Sequence, residues 1–90
     1  MAFAESNLEA PCEELGPESA AEELYRMGLV YSTGLGVPVD YVTAHKWFNL
    51  AALRGYADAK QSRKELADFM STEEIAAAQK AAREWLSLAN

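Results

Sequence analysis

The stretch Gly28-Leu29-Val30-Tyr31-Ser32-Thr33-Gly34-Leu35-Gly36-Val37-Pro38-Val39-Asp40-Tyr41 reads as the end of one amphipathic helix, a glycine-punctuated turn, and the start of a second helix. Upstream of it, Ala20, Leu24, Met27 and Tyr31 recur at the i, i+4, i+7, i+11 spacing of a single helix face. Gly34 fits the left-handed position that closes a helix, and Gly36 supplies a second permissive backbone position. Pro38 restrains the exit from the turn, and Asp40 offers a carboxylate to the free amides of the next helix. Two helices joined in this way form an αα-hairpin, the unit from which helical repeat proteins are stacked. A phosphate loop is excluded, because no strand precedes the Gly-x-Gly pair and no Lys-Ser/Thr follows it.

Gly28 is the exception inside its helix, where glycine costs about 1 kcal/mol relative to alanine. Its position predicts a close approach by the second helix, at an aromatic such as Trp47. That second helix is expected from Tyr41 to about Arg54, with Gly55 as its stop and Ala44, Trp47, Phe48, Ala51 and Ala52 facing inward. A third helix is expected over about Ala57 to Phe69, turning Ala59, Leu66, Phe69 and Met70 to the core. A fourth runs from about Thr72 to Leu88 and buries Ile75, Ala78, Ala82, Trp85 or Leu86, and Ala89. Ser19-Ala20-Ala21-Glu22 and Ser71-Thr72-Glu73-Glu74 each have the spacing of a capping box. No segment alternates like a strand. The expected class is all-α, with four helices in two stacked antiparallel hairpins over residues 19–55 and 56–90.

Residues 1–18 form a separate acidic segment with Pro11, Gly16 and Pro17, in which Phe3, Leu8 and Leu15 are the residues able to cover an exposed end of the domain. Residues 1–23 hold seven acids and no Lys or Arg, so the net charge of −6 sits there. The rest of the chain is nearly neutral and lacks the concentrated basic face that nucleic acid requires. Cys12 is the only cysteine, so no internal disulfide forms, which suits a reducing cytoplasm. No run approaches the ~20 apolar residues of a membrane span, and the first residues lack the pattern of a secretory signal.

Chemistry is hard to assemble from these residues. His45, the only histidine, has no carboxylate or nucleophile to work with and is expected to face solvent or a partner. One His and one Cys do not make a zinc site, and no cofactor is implied. Glu22-Glu23 and Glu73-Glu74 are accounted for by capping and the helix dipole.

Taken together, Ala21, Tyr25, Met27-Gly28, Tyr31, Gly34-x-Gly36-Val37, Asp40, Ala44, Trp47, Ala51-Ala52 and Gly55 resemble one full unit of the Sel-one-like repeat family, a tetratricopeptide-like class. After Gly55 the agreement thins: Arg63-Lys64 stands where the pattern has Leu-Gly, so residues 56–90 look like a capping helix pair. The resemblance implies a non-enzymatic adaptor for another protein, of the kind that assembles bacterial signalling, envelope or morphogenetic complexes. It places the partner on the concave face, at Tyr25, Leu29 and Ser32 of the first helix and at Gln61, Glu65 and Asp68 of the third. One repeat and one cap leave an apolar end to cover, so a monomer or weak homodimer is expected, with a self-associating assembly protein as the alternative. Some disulfide-rich relatives are associated with β-lactam hydrolysis. This chain lacks their paired cysteines, and Ser62-Arg63-Lys64 is not a Ser-x-x-Lys element.

Overall fold

The computed structural model describes residues 20–89, which hold four helices and, among the described residues, no strand: α1 (Ala21–Thr33), α2 (Tyr41–Leu53), α3 (Ala57–Ala67) and α4 (Thr72–Ala89). The acidic segment of residues 1–18, Cys12 and Ser19 lie outside them. The class is all-α.

The turn is built as its residues dictate. Gly34 adopts φ 75°, and the amides of Gly34 and Leu35 both donate to the Val30 carbonyl at 2.9 and 3.0 Å. These bonds satisfy the end of α1 and reverse the chain. The Asp40 amide then donates to the Tyr31 carbonyl at 2.9 Å, tying the start of α2 to the end of α1. The Asp40 carboxylate accepts from the Thr43 amide at 3.1 Å and from the Thr43 hydroxyl at 2.7 Å. Asp40→Ala removes that cap and should cost about 1 kcal/mol. A thermal melt checks this, and Asp40→Asn, which keeps an acceptor oxygen, should recover most of the loss.

The cap on α4 forms as its sequence suggests: Ser71 Oγ accepts from the Glu74 amide at 3.1 Å, and Glu74 Oε1 accepts from the Ser71 amide at 2.8 Å. The α1 cap is displaced by one residue. Ala20 is the N-cap, and Glu23 rather than Glu22 accepts from its amide, at 2.7 Å. Glu22 instead pairs with Arg26 across one exposed turn.

α2 is the hub: it packs against α1, α3 and α4, whereas those three lean on α2 more than on one another. It is therefore buried nearly all round, at Ala44, His45, Trp47, Phe48, Leu50 and Ala51. Trp47 joins Leu24, Leu50, Ala59 and Ala82 in the main core and meets Trp85 edge-on, with ring centroids 5.7 Å apart. Ala44, Phe48 and Leu66 form a second cluster toward α3.

The close approach at Gly28 is real, but its partner is Phe48 and not Trp47. A methyl placed on Gly28 would lie 3.0 Å from Phe48 Cγ and nearer still to Cδ1 and Cε1. One residue along α2 is a rotation of about 100°; Trp47 thus turns to α4 while Phe48 lies against α1. Leu50 is buried although the inward face read from the sequence does not include it. Phe69 is 75 % exposed, because α3 ends at Ala67 and the chain turns before the phenylalanine reaches the core. Leu66 and Ala59 are buried, and Met70 is half-buried against the second cluster.

Candidate functional site

Since α1 and α3 both rest on α2 far more than on each other, a cleft remains between them. Its floor is Phe48, seated there by the gap above Gly28. Leu29 and Ser32 of α1, Tyr41 of α2, and Ser62, Glu65, Leu66 and Phe69 from α3 and the residues after it form the rest of its wall, enclosing about 280 Å³. Leu29, Tyr41 and Phe69 are exposed, so apolar surface faces water at the mouth.

Of the six residues placed on the concave face by the sequence, Leu29, Ser32 and Glu65 line this cleft. Tyr25 stands behind it: its ring packs on Phe48 and Tyr56, at 5.4 and 4.7 Å between centroids, and its hydroxyl shares a 3.1 Å hydrogen bond with Ser62. Gln61 donates to Glu65 at 2.9 Å, which steadies the carboxylate at the rim. Asp68 caps the end of α3 and is exposed. Phe48, Tyr41, Leu66 and Phe69 are lining residues missed by a reading that took one helix at a time. Their signal was their apolar character on segments flanking the cleft, which only the packing of three helices makes meaningful.

A second opening lies between α3 and α4, again floored by α2, and encloses about 390 Å³. His45, expected at the surface, is in its wall and only 3 % exposed, with Nδ1 buried and without a hydrogen-bond partner. Burial lowers the affinity of the ring for a proton, and the Arg63 guanidinium lowers it further. Arg63 itself donates to Asn49 Oδ1.

The first opening has serine hydroxyls and one carboxylate without His or Lys, and the second has His and Lys without a serine, cysteine or carboxylate. Among the described residues no group of three or more His, Cys, Asp or Glu is placed to hold a metal ion, and no helix is long and apolar enough to cross a membrane.

The hairpin of α1 and α2, with its two left-handed glycines in the turn and Gly55 closing it at φ 94°, is the segment that a family model picks out. Residues 24–56 match the Sel1 repeat. That stretch, about a third of the chain, is similar to a Sel1 repeat. No curated protein and no solved structure matches the chain. Sel1 repeats are in general helical modules of protein–protein interaction and typically not enzymes. Within the matched residues, Tyr31 is half-buried against the core, while Ala44, Trp47 and Ala51 are fully inside it. α3 and α4 lie wholly beyond the matched residues.

Proposed function

We propose that this protein is a non-enzymatic adaptor that takes a peptide or helix of another protein in the cleft between α1 and α3. The observation that carries the reading is the apolar floor and mouth of that cleft, Phe48 with Leu29, Tyr41, Leu66 and Phe69, ringed by Ser32, Ser62 and Glu65. At about 280 Å³ it falls just below the roughly 300–1,000 Å³ of small-molecule sites, which suits one or two anchoring side chains of a larger partner. Glu65 at the rim favours a partner with a Lys or Arg beside its apolar anchor. Tyr25 acts from behind, holding Ser62 and Phe48 in place, and Gln61 does the same for Glu65. Asp68 extends the acidic edge.

The experiment is a selection of peptides from a displayed library on the full chain, followed by variants at the mouth. Leu29→Glu and Phe69→Ser change exposed side chains and should leave the helical circular dichroism intact. Each should weaken a selected peptide by about tenfold or more, the size of an interface anchor. Unchanged affinity in both, with the fold preserved, removes the cleft as the binding surface. A self-associating assembly role is separated by light scattering: a mass that stays at one chain as concentration rises excludes it.

A further inference from the structure

The opening between α3 and α4 has an electrostatic character opposite to that of the chain as a whole. Three helix faces converge on it: His45 and Asn49 of α2, Lys60, Arg63 and Lys64 of α3, and Gln79 of α4. The spacings i, i+4 on α2 and i, i+3, i+4 on α3 put each set on one side of its helix. Three of the eight basic residues of the chain thus line a single cavity, and no carboxylate does. Among the described residues none of these three cations has a carboxylate partner; Arg63 bonds only the neutral Asn49 amide. The buried imidazole of His45, with its unpartnered Nδ1, adds a polar group that the fold leaves unsatisfied in the same wall. A cavity so furnished favours an anion.

We propose that this cavity is a carboxylate-binding site and that its occupant is the acidic N-terminal segment of the same chain. The segment has Glu5, Glu9, Glu13, Glu14 and Glu18 and no base to compete for them. It is tethered at Ala20, which keeps its effective concentration high. An extended chain covers about 3.3 Å per residue, so Glu5 to Ala20 reaches on the order of 50 Å. The folded domain measures 42 Å along its longest axis, and the cavity is within range. Lys60 and Lys64 are exposed and open to the glutamates, while Arg63 is half-buried and held by Asn49. The attraction is between exposed charges and depends on salt, with a screening length of about 10 Å at 0.1 M and 3 Å at 1 M.

The single cysteine makes the test direct, because Cys12 lies in the middle of the acidic segment. A nitroxide on Cys12 of the full chain should broaden the amide resonances of residues 45–49 and 60–67 at low salt. The broadening should vanish at 1 M salt, and in a chain with Glu5, Glu9, Glu13 and Glu14 all changed to Gln. It should vanish likewise in Lys60→Gln/Arg63→Gln/Lys64→Gln. The glutamine-substituted segment leaves every residue of the cavity in place, so a folding defect in the triple variant does not blur the result. The His45 ring should also titrate at higher pH in the unlabelled wild-type chain than in the glutamine-substituted one, since a nearby carboxylate favours the imidazolium. Broadening that is absent, or that persists in both variants, overturns the proposal. Broadening seen only between chains, in a mixture of labelled and isotope-enriched protein, overturns the seating within one molecule. Displacement by added hexaglutamate identifies carboxylate as the chemistry recognised; displacement only by inorganic phosphate overturns that assignment.

Discussion

Gly28→Leu is expected to lower the stability of the domain by about 3 kcal/mol or more. Glycine lets the ring of Phe48 lie against the α1 backbone, and even a Cβ there meets three ring carbons at 3.0 Å or less. Phe48 is 2 % exposed and packed between Ala44, Leu66 and Tyr25, so the ring has nowhere to retreat without opening the second core cluster. Gly28→Ala is the more informative comparison. Alanine gains about 1 kcal/mol of helix propensity, and overpacking costs roughly 1–3 kcal/mol, so the net is a modest loss. For a domain of this length each 1 kcal/mol moves the melting temperature by about 4–8 °C, so the leucine variant should melt at least ~12 °C lower. Combining Gly28→Ala with Phe48→Leu should cost less than the sum of the two single changes, because the smaller side chain relieves the contact. An unchanged melting temperature in the leucine variant would mean that the α1–α2 approach is not as close as described.

Trp47→Ala should be costlier still, at about 3–5 kcal/mol for a buried tryptophan. The indole is 1 % exposed, bridges α1 and α3 residues in the main core, and meets Trp85 edge-on. Small domains sit near the lower end of the ~5–15 kcal/mol range of folding stability, so the alanine variant should be largely unfolded at 37 °C. Trp47→Phe tests the cause. Trp47 Nε1 is buried without a hydrogen-bond partner, a cost that phenylalanine does not have. Part of the packing loss is thereby offset, and the phenylalanine variant should lose less than half as much as the alanine one. Urea unfolding followed by far-ultraviolet circular dichroism measures both, since the fluorescence of the other tryptophan would report a different site.

The helices were legible in the sequence because their ends are marked by local chemistry. Asp40, Gly34 and the Ser71–Glu74 pair each satisfy a backbone group within four residues, and nothing distant is needed to see it. The facing of α2 was less legible. With neighbours on three sides, it buries residues at nearly every turn position, so a single-face reading does not say which aromatic meets which helix. That is why Phe48 rather than Trp47 covers Gly28, and why His45 is inside. Phe69 fails for a different reason: helical spacing stops predicting direction once the helix stops, and α3 stops at Ala67. The cap at Ala20 shows the smallest error, since two adjacent glutamates make a one-residue shift invisible in the sequence. As for the first cleft, Leu29 and Ser32, named from the repeat pattern, and Glu65, named by looser extension of it, all line it. The pairing of Arg63-Lys64 with His45 was not legible, because it needs the third helix brought beside the second.

α3 is a partition with an opening on each side: Ser62, Glu65 and Leu66 face one, and Lys60, Arg63 and Lys64 face the other. It is the shortest of the four helices and is moored chiefly to α2, with the Ser62 and Arg63 side chains as its crosswise ties. Whatever draws it toward one chamber withdraws it from the neighbouring one. Any coupling that runs through this shared wall is reciprocal: the factor by which a guest in one chamber changes affinity in the other is returned in full.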